Sequence, residues 1–220
     1  MTMSLPTLIH RSPKTGALLP ALTLLASLAA APQTISITSP ANGDIFHPGQ
    51  AIPVTVDADP TVFRAVGVGG KYPIGRRSLT APPYRFQLPI PADIPSGRYP
   101  LSALGLTMAN KPVGSAPVTI AIERPDSPRE LKSDLSALYF DYVGDYVNMV
   151  LFGTFADGSS VDLTRSTLTT WASDNASVAT VDNQGTVTAV GPGSAKIIIG
   201  NRNATTVVPV RVPKARTRRP

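Results

Sequence analysis

The chain has 220 residues, 42% of them apolar and only 15% charged, with a formal net charge of +6. This balance excludes a disordered polyampholyte, and 23 prolines with 17 glycines favour many short strands over long helices. Without cysteine there is no thiol nucleophile, no thiolate metal site and no disulfide, so apolar burial must hold the fold.

His10, Arg11 and Lys14 precede a largely apolar run from Ala17 to Ala29, in which Pro20 interrupts the helical pattern. The run is shorter than the roughly 20 residues that span a bilayer, and small residues follow it. Residues 1–29 are therefore predicted to be a signal peptide cleaved after Ala29, so the protein is expected to be exported and periplasmic, extracellular or associated with the cell surface.

From Pro32 to Glu123 the pattern is that of one β-sandwich. Ile35 and Ile37 alternate with Ser and Thr in a first edge strand, and Ile52, Val54 and Val56 mark the next. Pro53 lacks an N–H, which places that strand at a sheet edge. Val62, Arg64, Val66 and Val68 fall on one face of the following strand, with Phe63 and Ala65 on the other. Tyr84, Phe86, Leu88 and Ile90 share a face, and Val118, Ile120 and Ile122 close the domain. Tyr99, just after Gly97, stands where a tyrosine corner would turn its hydroxyl back onto upstream backbone. This half resembles an immunoglobulin-like or fibronectin-like sandwich. The loop Gly69–Arg77 offers Tyr72, Arg76 and Arg77 as surface-contact residues, but it lacks the Gly-Lys-Ser/Thr ending of a phosphate cradle.

Arg124 to Lys132 holds two prolines and alternating charges without apolar periodicity and reads as a linker. A second sandwich is predicted over 133–212. Leu135–Tyr142 and Tyr146–Phe155 supply its first two strands, and Asp157-Gly158-Ser159 a hairpin turn. The runs Val178–Val181, Thr186–Val190 and Ala195–Ile199 read as a β-meander, closed by Asn183-Gln184-Gly185 and by Gly191-Pro192-Gly193. Val207, Val208, Val210 and Val212 supply the last strand.

Trp171, Ser173, Asn175, Val178-Ala179-Thr180-Val181-Asp182, Gly185, Val187-Thr188-Ala189 and Gly191-Pro192-Gly193 closely resemble the bacterial immunoglobulin-like domain of group 2, the module repeated in intimin- and invasin-type surface proteins. The resemblance covers residues 131–212 and puts Trp171 on the family's core tryptophan position. The expected fold is thus all-β, two immunoglobulin-like β-sandwich domains after a signal peptide.

Catalytic chemistry is missing from this pattern. His47 is the only histidine beyond the signal segment and sits in a turn, and no Gly-x-Ser-x-Gly elbow occurs. The carboxylates are scattered over separate strands and turns. No catalytic, cofactor or metal site is expected. Four of the eight residues from Pro213 to Pro220 are basic, so Lys214, Arg216, Arg218 and Arg219 are a candidate tether to anionic envelope polymers or headgroups.

With the predicted export and the missing catalytic chemistry, the resemblance to intimin- and invasin-type repeats implies an exported, non-enzymatic structural or adhesive module of the bacterial envelope. Its partner would be an envelope or surface protein or a polysaccharide, with no nucleic acid and only weak electrostatic contact with membrane. The alternative is a carbohydrate- or polysaccharide-binding accessory module, with Tyr72, Tyr84 or Tyr146 as its platform. A row of tyrosines on one sheet face would favour sugar.

Overall fold

In the computed structural model, which describes residues 34–214, the alternating runs of the first half become nine strands. They are β1 (Ile35–Ser39), β2 (Ile45–Phe46), β3 (Ala51–Ala58), β4 (Phe63–Gly70), β5 (Arg76–Leu79), β6 (Arg85–Pro89), β7 (Gly97–Thr107), β8 (Pro112–Gly114) and β9 (Val118–Ile122). One sheet has the order β1-β3-β6 and the other β2-β9-β7-β4-β5, with β8 paired to β7. Ile52, Val54, Phe86 and Leu88 of the first sheet share one core cluster with Val66, Leu101, Ile120 and Ile122 of the second. Each such buried side chain contributes about 1.5–3 kcal/mol, and with no disulfide this packing carries the domain.

One face assignment and one strand position differ from the sequence reading. Phe63 is buried and Arg64 exposed, because a register shift against β7 between Phe63 and Ala65 inserts one residue and brings Phe63 round to the side of Val66. Strand β3 is central rather than an edge, yet its pairing with β1 ends at Thr55. At Pro53 it is paired only to Gln87 of β6, so the missing N–H meets no gap in a ladder. The tyrosine corner forms: the Tyr99 hydroxyl donates to the Pro95 carbonyl at 2.7 Å.

The second half forms β10 (Glu130–Ser133), β11 (Leu138–Tyr139), β12 (Tyr146–Asn148), β13 (Leu151–Thr154), β14 (Ser160–Asp162), β15 (Thr169–Ser173), β16 (Ala179–Val181), β17 (Thr186–Ala189), β18 (Gly193–Asn201) and β19 (Ala204–Val212). They pair as β10-β13-β14, β11-β19-β18-β15 and β12-β17-β16. Leu151, Phe155, Leu163, Val187, Ile197 and Ile199 lie in the core cluster of this half. Gly158 and Gly185 hold positive φ of 81° and 83° at the tips of the β13–β14 and β16–β17 hairpins, where a Cβ would be strained.

The predicted meander is only half present. β16 and β17 pair, but β18 pairs with β15 and β19 in another sheet. The N–H groups of Val190 and Gly191 both donate to the Val178 carbonyl, at 2.8 and 3.2 Å, and this redirects the chain across the sandwich instead of closing a hairpin. Alternation fixes which residues face inward, not which strand lies alongside.

Three further expectations are revised. Leu135–Tyr142 contributes only the two-residue β11, and Tyr146–Phe155 divides into β12 and β13. The expected linker ends inside β10, whose Leu131 is buried in the core of the second half. Trp171 is only partly buried and packs against the edge of that core beside Gly185, with its indole N–H enclosed and unbonded among the described residues. A half-covered ring finds room at the sheet edge that the close-packed centre does not offer.

Candidate functional site at the joint between the sandwiches

Strand β9 runs straight into Glu123, a buried residue only 3% exposed. Burying a carboxylate is costly unless its oxygens are bonded. Here Oε2 accepts from the Ser166 hydroxyl at 2.7 Å, and Oε1 accepts from the Thr167 N–H at 2.6 Å and the Thr167 hydroxyl at 2.9 Å. The donors lie in the turn between β14 and β15, so a residue closing the first sandwich is fastened to the second. Ser166 is held in turn by Asn201 at 3.3 Å, and Asn201 also donates to Thr169 at 2.9 Å. The Glu123 N–H donates to the Phe46 carbonyl at 3.0 Å, and its carbonyl lies 2.7 Å from Nδ1 of His47. The histidine expected in a surface turn is thus partly buried against the joint.

A second strut joins the Ser96 N–H to the Asp162 carbonyl at 3.0 Å. Beside it Gly97 has φ of 152°, and a Cβ there would stand 3.0 Å from the Arg165 carbonyl, so glycine allows the two segments to approach. Burial, reinforced by the negative charges of Asp162 and Glu123 and opposed by Arg165, pushes the Tyr99 phenol up to about 12. It stays a neutral donor to Pro95.

Arg124 forms the third strut. Its guanidinium lies 4.4 Å over the Phe155 ring and bonds Asp126 at 3.1 and 3.2 Å and Asp157 at 3.1 Å, while Arg202 donates to its carbonyl at 3.0 Å. Hydrogen bonding to Arg124 holds the Asp126 carboxyl below the usual carboxylate range. Asp157 lies further below it, first through the Ser159 hydroxyl and N–H and then through Arg124.

Beside these struts the two sandwiches enclose a cleft of about 560 Å³. Lys71, Tyr72 and Arg98 line it from the first sandwich, and Asn148, Arg165 and Thr186 from the second. Tyr72 stands at its mouth, 90% exposed. Arg76 and Arg77 lie in β5 instead, paired to Gly69 and Val68, and with Lys71 border a separate cavity of about 930 Å³. The structure therefore separates the two arginines from Tyr72, with Lys71 common to both cavities. Of the tail residues, Lys214 is exposed, and Arg216, Arg218 and Arg219 lie outside the described residues, as does the segment predicted as a signal peptide. Tyr84 is buried in the first core and forms no platform, whereas Tyr146 is exposed.

Sequence reasoning missed Glu123, Ser166 and Thr167. A lone acidic residue directly after the inward Ile120 and Ile122 was a usable signal, but nothing in the pattern named its donors some forty residues on. Among the described residues no group of His, Asp and Glu is placed to hold a metal, and no helix is long and apolar enough to cross a membrane.

Fold and joint together define a tandem of two immunoglobulin-like β-sandwiches. Residues 154–210 match the family model of the bacterial Ig-like domain (group 2), so the second sandwich carries that domain. Among curated proteins nothing matches the chain. Similar solved structures include the fibronectin(III)-like modules of Clostridium thermocellum CbhA, at 21% identity over 40% of this chain and 94% of that one, with a TM-score of 0.35. Domains 4 and 5 of the S-layer protein SbsC match at 18% identity over 67% of this chain and 76% of that one, with a TM-score of 0.35. The D00-D0 domain of intimin matches at 12% identity over 81% and 99%, with a TM-score of 0.29. Scores of this size add nothing to the strand order already described.

Proposed function

We propose that the protein is an exported, non-enzymatic structural module of the bacterial envelope, which holds two sandwiches at a fixed angle and works through surface contacts. The observation that carries this reading is the joint. A carboxylate bonded on both oxygens, a backbone strut and a stacked arginine clamp are what a spacer needs, whereas a flexible linker would leave the angle free. The bacterial Ig-like match in the second sandwich supports the envelope setting, and the apolar segment before Ala30 supports export.

The test has two arms. Mass spectrometry of protein recovered from the periplasm or medium is expected to find Ala30 as the first residue, and an intact Met1 on membrane-fraction material would overturn export. Residual dipolar couplings on the purified protein are expected to fit one alignment tensor for both sandwiches. Two independent tensors would overturn the fixed spacer.

A further inference from the structure

The described residues carry an unusual concentration of exposed aromatic rings on one part of the second sandwich. Tyr139, Tyr142 and Tyr146 are 78%, 73% and 68% exposed within eight residues of chain. Tyr139, on the β11-β19-β18-β15 sheet, stands at the pole away from the joint, whereas Tyr146, on the β12-β17-β16 sheet, lies two residues before Asn148 at the cleft. Strand β19 leaves the Arg202 turn, which bonds Arg124, and nine residues later reaches Val210 and Arg211, where Leu138 and Tyr139 pair with it. At roughly 3.3 Å per residue that is about 20–30 Å from the joint.

The loop bearing the rings is pinned. The Tyr142 N–H donates to the Asp145 carboxylate at 3.0 Å, the Gly144 N–H to the Ala189 carbonyl at 2.8 Å, and the Phe140 N–H to the Arg211 carbonyl at 3.0 Å. A notch of about 330 Å³ opens between Tyr139 and Tyr146, with Asp141 and Asp145 on its walls. From this notch a row leads back toward the joint. Tyr146 lies beside Thr188, and Thr188 beside Thr180, in register across β12, β17 and β16. Asn148 lies beside Thr186 one step along, and both border the cleft at whose mouth Tyr72 stands.

We propose that this face is a binding track for a linear, uncharged polysaccharide whose hydroxyls are equatorial. Such sugar rings present C–H groups on both flat faces, which stack on tyrosine, and hydroxyls at their edges, which meet Thr180, Thr186, Thr188 and Asn148. Aromatic rings separated by hydroxyl and amide groups match that alternation. A protein partner requires about 800 Å² on each side with an apolar centre, and this face has hydroxyls at its centre. Asp141 and Asp145 on the walls of the notch repel phosphate and uronate groups there, while Lys71, Arg98 and Arg165 lie around the cleft at the far end of the row. Because the backbone that carries the rings is already pinned, binding has only side chains left to order. The inference rests on the proposed function only for the envelope setting in which such a chain is met, since none of the three tyrosines takes part in the joint.

The test uses the purified protein with cellohexaose, xylohexaose and chitohexaose in calorimetric and NMR titrations. At least one hexasaccharide is expected to bind, moving the amide signals of Thr180, Thr186 and Thr188. Tyr146→Ala and Tyr139→Ala are each expected to weaken it about tenfold, as loss of a stacked ring does, with unchanged melting. Tyr146→Phe keeps the ring and is expected to retain binding. Absence of binding to all three sugars, or equal binding by wild type and Tyr146→Ala, overturns the track. Either result leaves the dipolar couplings and the fixed joint untouched, so the two readings fail separately.

Discussion

The joint and the tyrosine face use polar chemistry in opposite ways. At the joint Glu123 is buried and its carboxylate accepts three hydrogen bonds from the other sandwich. On the face, Tyr139, Tyr142 and Tyr146 are held by their backbone while their rings stand in solvent. Satisfied and buried groups make a connection that costs energy to open, whereas ordered and uncovered groups make a surface ready to receive a ligand. One small module thus buries the groups that fasten it and leaves those of its candidate contact surface uncovered.

The sharpest way to break this contrast is Glu123→Ala. It strands the Ser166 and Thr167 donors and is expected to cost about 2–4 kcal/mol, since hydrogen bonds to a charged group contribute roughly 1.5–3 kcal/mol each and water re-enters in part. Urea denaturation measures the cost, and dipolar couplings should then require separate tensors for the two sandwiches. A mutant with wild-type couplings would show that the other struts suffice.

Gly185→Val probes the β12–β17 strands that carry the row of hydroxyls, at their end nearest the cleft. A Cβ at Gly185 would lie 2.8 Å from the Met149 carbonyl at a φ of 83°, and the Gly185 carbonyl accepts from Met149 at 2.9 Å, beside the β12–β17 pairing. The left-handed backbone alone costs a branched residue about 1–2 kcal/mol. The expected result is a lower melting temperature and shifted amides at Thr186 and Thr188, while the signals of Ser166 and Thr167 stay in place.

Acid gives the smallest and most selective effect. Asp126 and Asp157 titrate below the ordinary carboxylate range, so the Arg124 clamp contributes in full above the unfolded-state value near about 4. That contribution falls away as the pH drops through the lower folded-state values. The stability difference between wild type and Arg124→Ala is therefore expected to be constant from about pH 7 to about pH 5 and to shrink below about pH 4. Denaturation curves at these pH values check it, and a difference that grew in acid would contradict the assigned pairing.

Much of the fold was legible in the residues. Period-two alternation in Ile52, Val54 and Val56, and again in Tyr84, Phe86, Leu88 and Ile90, identified inward faces, because a strand turns successive side chains to opposite sides. Gly158 and Gly185 announced their turns because only glycine takes positive φ without cost. Tyr99 announced its corner. These are local constraints, carried by the backbone of a few consecutive residues.

Other features depended on groups far apart in the chain. Which strand lies beside β18 was settled by the redirection at Val190 and Gly191, and the face of Phe63 by one inserted residue opposite β7. Trp171 lies at the core edge because β15 is the outer strand of its sheet, an arrangement set by strands distant in the chain. Glu123 and Thr167 are 44 positions apart, and nothing in either local pattern specifies the other. The same holds for the row from Tyr146 through Thr188 to Thr180, which exists only once three strands are in register. Sequence by itself determined two immunoglobulin-like sandwiches with alternating cores, since burial acts residue by residue. Tertiary structure alone decided the joint and the tyrosine face, since hydrogen bonds and shared surfaces need both partners brought to the same place.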